Sequence, residues 1–402
     1  MKDIITKSLL RRDIIMDKRI MEVIDEIEEL GDLDQEAITQ ARERQDQLAK
    51  PTGSLGDLEA MTIKLAGITG QVKNDVTRQA VAVFSADNGV CDEGVASAPQ
   101  SVTFSQTINF TRGFTGVSSM AKYWGIDLLV VDMGNKMDLP ESLLTDEMTE
   151  AECTDCDGET CRNVLTKRIV NRRLARGTAD LAKGPAMSEE QVTKAILTGV
   201  EAAENFKRLG YNVFGVGEMG IGNTTTSACV LSALTGAKAE EVVGRGGGLT
   251  DAGLAKKVEI VASAAERVKD EDPVRILQEV GGFDIAAMTG AYLGAAKYKM
   301  PVVIDGYISA VAALAAARIQ PKCVNYMFAS HKSKEPGYVI AMNELGIKPI
   351  FDLGMRLGEG SGCPITFKIL ETACATMNLM ATYDEGSIDA DYLEQRKEGN
   401  FF

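Results

Sequence analysis

The chain is poor in several things that would decide its function outright. It holds one histidine, His331, among 402 residues. One imidazole excludes a multi-histidine metal site, and it cannot anchor a serine-type triad whose other parts are nowhere signalled, so His331 reads as structural. Positive charge is also short: 43 Lys and Arg stand against 58 Asp and Glu, a net charge of −15. Nucleic acid and anionic membrane surfaces are therefore poor partners, and any phosphate must be held locally by helix N-termini and a few placed cations. No apolar run nears the roughly 18 residues of a membrane span; the longest, ISAVAALAAA (308–317), is a small-residue helix. The opening MKDIITKSLLRRDII mixes charge into its apolar residues, unlike a secretory signal. The expectation is a cytoplasmic protein with its eight cysteines reduced. There is no G-K-[ST], hence no P-loop.

What is present is an ordinary globular composition, 45% apolar and 25% charged, long enough for two or more domains. Residues 17–48 carry apolar residues at helical spacing and predict two helices broken near Gly31. KPTGSLGDLE (50–59) is a turn entering a third helix with Leu58, Met61, Leu65 and Ile68. From about residue 78 short β-branched runs alternate with glycine-rich turns and helices: 80–86, 127–134, 212–217, 301–306 and 324–330. Continuous apolar strands of this kind predict an α/β fold, a Rossmann-like parallel sheet covered by helices. The expected division is an extension (1–19), a small helical domain (20–77 with 364–402) and a large α/β domain (78–363). CTDCDGETC (Cys153, Cys156, Cys161) has a metal-like spacing without a clear fourth ligand and reads as an inert insertion.

In a parallel sheet the loops after the strands converge on one edge, where ligands bind. After the first run, 87–101 gathers Asp87, Asp92, Glu93 and Gln100, although Asn88-Gly89 also suits a plain turn. After NVFGVG, the stretch EMGIGNTTTSA leads into a helix starting near Asn223 or Thr224, with hydroxyls at Thr224, Thr225 and Thr226. Free amides and partial positive charge make that an anion seat. The same stretch matches G-x-G-x-x-G at Gly215, Gly217 and Gly220, but the acid expected some 20 residues on is misplaced: Glu240 and Glu241 precede VVG. A nicotinamide-dependent oxidoreductase therefore stands as a rival. Gly246, Gly247 and Gly248 allow close backbone approach. Of Lys256 and Lys257 in the next helix, one could supply a point charge for a phosphate, or both could be solvated. Ser330, Lys332 and Ser333 sit at a further strand end. In FDLGMRLGEGSG (351–362) a lone carboxylate, Glu359, stands between two glycines; in a solvated loop such a residue is ordinarily just surface.

Together, KPTGSLGDLE, SADNGVCDEGVASAPQSVT, GTADLAKGPAMS, GYNVFGVGEMGIGNTTTSA, VVGRGGGLTDAGLAKKV, PVVIDGYISA, SHKSKEPGY and FDLGMRLGEGSG resemble the nicotinate-nucleotide–dimethylbenzimidazole phosphoribosyltransferase family, from about residue 20 to 375. The resemblance implies transfer of the ribose phosphate of nicotinate mononucleotide to a nitrogen of an aromatic base, in cobalamin lower-ligand assembly. It implies Glu359 as general base and Glu218 in a supporting role, one option being stabilisation of oxocarbenium character. It implies a phosphate cradle at Gly220, Gly222, Asn223, Thr224, Thr225, Lys257 and Ser333, with Gly246 and Gly247 beside it. The base pocket maps to Gln100, Met219 and Leu357, with Asp87 counted among its residues. No pyrophosphate leaves, so neither metal nor cofactor is expected; the implied assembly is a homodimer. Ser85-Ala86-Asp87-Asn88-Gly89-Val90 departs from the family's A-G-D-H-G-V, so a histidine is missing there. The acceptor, whether benzimidazole, purine or phenol, stays open.

Overall fold

A computed structural model describes residues 16–148 and 165–389. Residues 1–15 and Cys153, Cys156 and Cys161 lie outside them. Three helices come first: α1 (Lys18–Glu29), α2 (Gln35–Gln47) and α3 (Asp57–Thr69). Asp17 and Asp34 start the first two by accepting hydrogen bonds from the amides of Arg19 and Ala37, which would otherwise be unpaired. Then follow β1 (Gln79–Ala86), α4 (Ser101–Arg112), α5 (Gly116–Trp124), β2 (Asp127–Gly134), β3 (Leu144–Thr145), β4 (Leu165–Asn171), α6 (Glu189–Arg208), β5 (Val213–Met219) and α7 (Asn223–Thr235). The rest are α8 (Ala239–Val242), α9 (Asp251–Arg267), α10 (Pro273–Val280), α11 (Phe283–Lys297), β6 (Val302–Ile304), α12 (Tyr307–Ile319), β7 (Met327–Ala329), α13 (Gly337–Leu345) and α14 (Gly362–Leu379).

The strands form one seven-stranded sheet in the order β3-β4-β2-β1-β5-β6-β7, with every pairing parallel. This is the helix-covered α/β fold that the alternating runs predict. All eight residues of β1 are buried, as a strand covered on both faces requires. The chain winds outward from β1 to β2, then returns to lay β5 on the other side of β1. That reversal opens a crevice at the carboxyl ends of β1 and β5.

Two strands were not legible. In β4, LTKRIVN, Lys167 and Arg168 are exposed and break the apolar run, and β3 has only two residues. The run 324–330 shortens to Met327–Ala329, because Pro321 starts a 3₁₀ turn that extends through Tyr326.

Helices α6 and α11 touch through reciprocal glycines. A Cβ on Gly199 would strike the Ala287 carbonyl, and one on Gly290 would strike that of Ile196. At the opposite end of the chain order, Ala37, Ala41, Ala66 and Met377 from α2, α3 and α14 form a small core of their own. The Tyr383 hydroxyl donates to the Lys50 carbonyl (2.7 Å) beside a buried Lys50–Glu59 ion pair (2.7 Å). Gly290→Ala is expected to force α6 and α11 apart and lower stability by about 1–3 kcal/mol, read as a fall in the urea midpoint at unchanged slope. A midpoint equal to that of the unsubstituted chain would show that the helices separate freely.

Candidate active site

The loops after β1, β5, β6 and β7, with the loop after α8 and residues 356–359, enclose a cleft of about 580 Å³. One end is built for an anion. Helix α7 begins at Asn223 behind Gly222, whose φ of +93° suits glycine and turns the chain sharply from strand to helix. Lys257 is fully buried, its Nζ donating to Thr224 Oγ1 (2.8 Å) and to the Gly244 carbonyl (3.2 Å). Burial pushes this ammonium down to about 8, while nearby Glu335 acts in the opposite direction. Lys256, by contrast, turns outward to Glu93 (2.9 Å). Gly246 faces Thr224 Oγ1 and Gly247 faces Ser97 Oγ, so side chains there would crowd the wall. Ser333 lines the same cleft.

Glu359 occupies the other end, and it is not a surface residue: it is 6% exposed. Its Oε2 accepts from the Val117 amide (3.2 Å) at the N-terminus of α5, a helix capped by Thr115 and Ser118. Burial raises this carboxyl above the usual range, opposed by the backbone amides of Val117 and Gly116. Gly358, Glu359 and Gly360 have φ values of 86°, 65° and 88°, three left-handed residues in a row. For a glutamate that conformation costs about 1–2 kcal/mol. Two buried carboxylates hold the loop there. Glu218 Oε1 accepts from the Glu359 amide (3.3 Å); Asp305 accepts from Gly360 (3.0 Å) and Gly362 (2.7 Å). The glycines are therefore needed for packing as well as for open space: a Cβ on Gly358 would strike Glu218, and one on Gly217 would strike the Glu359 carbonyl.

Between the two ends, the Asn223 side-chain amide donates to Glu218 Oε2 and to Asp284 Oδ2 (2.9 Å). Both amide protons are thus spent on carboxylates rather than on a ligand. Burial, reinforced by Asp284, pushes Glu218 up to about 8; burial also lifts Asp284 to about 6. Neither sequence motif nor spacing singled out Asp284. Asp305 stood unremarked at the end of PVVIDG, a strand end that was itself the available signal.

Of the residues expected at the site, Glu218, Met219, Gly220, Gly222, Asn223, Thr224, Gly246, Gly247, Lys257, Ser333, Leu357 and Glu359 line one cleft. Asp87, Gln100 and Thr225 do not. Asp87 is buried behind it, accepting from the Lys136 amide (2.8 Å), and Gln100 bridges the Asn88 carbonyl (3.0 Å) and Lys136 Nζ (3.0 Å). Thr225 is fully buried on α7, and its hydroxyl has no hydrogen-bond partner. His331, expected to be structural, lines the cleft. Gly215 and Gly217 lie inside β5 against Cys363 and the Glu359 backbone, so they form no turn around a dinucleotide. Among the described residues no three His, Cys, Asp or Glu side chains group as metal ligands.

A family model described as phosphoribosyltransferase matches residues 30–388. The chain belongs to this family. It is 48% identical to a nicotinate-nucleotide–dimethylbenzimidazole phosphoribosyltransferase of Clostridium perfringens, over 91% of this chain and 95% of that relative. It is 44% identical to the enzyme of the same name from Ruminiclostridium cellulolyticum, over 90% and 97%. A crystal structure of CobT from Thermus thermophilus superposes with a TM-score of 0.79 at 36% identity, covering 88% of this chain and 99% of the other. The chain is thus a phosphoribosyltransferase, a pentosyl-transferring enzyme.

In the folded phosphoribosyltransferase Glu218 keeps its proton up to about pH 8, whereas in the unfolded chain it loses it near 4.5. The native state then binds the extra proton between these values, so stability is greatest below the lower one and falls as pH rises toward the upper. Urea unfolding at about pH 5, 6.5 and 8 is expected to show this decline, and Glu218→Gln to flatten it. Parallel curves for the two proteins would mean that Glu218 is ionised throughout.

Proposed function

We propose that this enzyme moves the ribose phosphate of nicotinate mononucleotide to 5,6-dimethylbenzimidazole or a related aromatic base. The products are α-ribazole phosphate and nicotinate, for assembly of the cobalamin lower ligand. One observation carries the reading: the buried Lys257 with the α7 N-terminus, and the buried Glu359, line a single cleft. A nucleotide phosphate suits the first, and an azole N–H suits the second.

The bond from the anomeric carbon to the nicotinate ring nitrogen breaks, and its electron pair neutralises that quaternary nitrogen. A base nitrogen forms the new bond, and its proton passes to Glu359. The reaction balances without metal or cofactor. The Glu359 carboxylate waits at the α5 N-terminus, and a flat ring covering it would strip its remaining water and raise its basicity toward working pH. Leu357 and Met219 supply apolar wall for that ring. Glu218 accepts from the Glu359 amide and from the Asn223 side chain, and so holds the Glu359 loop to the start of α7.

Phe114 (74% exposed), Tyr123 (83%) and Leu357 (59%) present apolar surface around α5 and the Glu359 loop. A second copy of the chain covering that surface, giving a homodimer, is the assembly we favour. We place the protein in the cytoplasm, where Cys91, Cys229, Cys323, Cys363 and Cys374 stay free. The core shared by α2, α3 and α14 supports reading 20–77 and 364–402 as a small helical domain.

Incubation with nicotinate mononucleotide and a panel of bases should release nicotinate, fastest with the physiological acceptor; no release with any base would end this reading. Glu359→Gln is expected to cut turnover by at least about 10²-fold with nucleotide affinity nearly intact. Near-normal turnover would remove Glu359 as the base. Lys257→Ala should raise KM for the nucleotide without an equal fall in kcat, and an unchanged KM would put the phosphate elsewhere.

A further inference from the structure

His331 is fully buried, yet its Nε2 has no hydrogen-bond partner, a rare condition for a polar atom in a folded interior. The network fixes what that nitrogen offers. The Ser330 hydroxyl donates its single proton to the Asp305 carbonyl (2.8 Å) and stands 3.1 Å from His331 Nδ1, so it accepts there. Nδ1 is therefore the protonated nitrogen, and Asp305 Oδ1 at 3.7 Å favours the same tautomer. A ring carrying its one proton at Nδ1 presents a lone pair at Nε2, an acceptor awaiting a donor.

Beside it the missing side chain of Gly306 leaves a notch in the cleft wall: a Cβ built there would stand 3.5 Å from both Cε1 and Nε2 of His331 and 3.9 Å from Ser333 Cβ. Ser333 accepts from the Glu335 amide (3.4 Å), and Glu335 packs on Gly244, whose carbonyl accepts from Lys257 (3.2 Å); Asp305 holds the Glu359 loop. A group in this notch therefore sits between phosphate and base, where the sugar of the nucleotide runs.

We propose that His331 Nε2 accepts a hydrogen bond from a ribose hydroxyl of the donor nucleotide in the notch at Gly306, making His331 a specificity-determining residue for ribosyl over deoxyribosyl donors. The inference rests on the transferase reading above. Release of nicotinate from the ribosyl donor by the unsubstituted enzyme tests that reading first and separately.

The experiment compares kcat/KM for nicotinate mononucleotide and its 2′-deoxy and 3′-deoxy forms in the wild type, His331→Gln and His331→Phe. Removing a hydroxyl also changes the intrinsic reactivity of the sugar, but that change is common to all three proteins and cancels in the ratio between them. The phenylalanine variant is expected to shrink the ribosyl preference against one of the two analogues by on the order of 10-fold, because it leaves no acceptor. Glutamine, whose carbonyl can reach the position of Nε2, should restore part of it. A ratio unchanged for both analogues would overturn the proposal, leaving a water as occupant of the notch.

Because a buried position can fail to fold when substituted, a second measurement uses the wild type alone. The chain has one histidine, so an untagged protein labelled with ¹⁵N-histidine gives the signals of His331 only. The free enzyme should show an unprotonated Nε2. Its resonance should move on adding nicotinate mononucleotide and move less with the deoxy form that the enzyme rejects. A protonated Nε2, or equal shifts with all three nucleotides, would also overturn the proposal.

Discussion

The site depends on one close approach, that of the backbone at 358–362 to the end of β5. No side chain fits between them at Gly217 or Gly358, and the loop is held by amides donated to Glu218 and Asp305. Carboxylates buried without a cation are costly unless hydrogen bonds replace the lost water. Here the loop amides do so, and the benefit is mutual. The acids gain donors, and a left-handed stretch that would otherwise relax is fixed with Glu359 at its centre. A glutamate at φ +65° is tolerable only where its surroundings over-determine it.

That arrangement also explains how a chain of net charge −15 can offer a seat to phosphate. Burial raises Glu218, Asp284 and Asp305 while the groups that donate to them act the other way, and it lowers Lys257 while Glu335 helps keep it cationic. The remaining anion seat is made of the α7 N-terminal dipole and the hydroxyl of Thr224 on Lys257; the Asn223 and Thr225 amides are already donated to the Gly220 (3.1 Å) and Gly222 (2.9 Å) carbonyls. Such donors are fixed by the fold and short in range, so the acidity of the outer surface matters little to them.

Much of this was legible in the sequence because strand ends and glycines leave local marks. The runs of β1, β2 and β5 are continuous and apolar, and the threonine-headed helix begins at Asn223 as the turn chemistry suggested. What stayed hidden was decided by distance in space. Nothing in the local sequence separates Lys256 from Lys257, yet one turns to Glu93 and the other into the cleft. Gln100 follows a strand-end loop, and the fold uses it to tie that loop to Lys136. Asp284 stands in the first turn of a helix 61 residues beyond Asn223 and reaches the site through the amide of that asparagine. His331 was discounted for being alone, an argument that holds against a triad or a metal site and says nothing about a single acceptor.

The seat of Glu359 bears on timing. Its oxygen rests on the first amides of α5, which favour the anion, while burial favours the acid. A base held only by the amides would be ionised but too weak to take a proton from an azole; one that was only buried would already hold a proton. Opposed in this way, the two effects leave an anion whose basicity rises when a ring displaces the last water from it. On the proposed transfer, Glu359 would become a strong proton acceptor only while the heterocycle covers it, which would tie deprotonation to the occupied cleft. The wall that would carry the ring, Leu357, leans on Gly116 at that same helix start. On that proposal, the surface that meets the acceptor and the dipole that tunes its base are one piece of backbone.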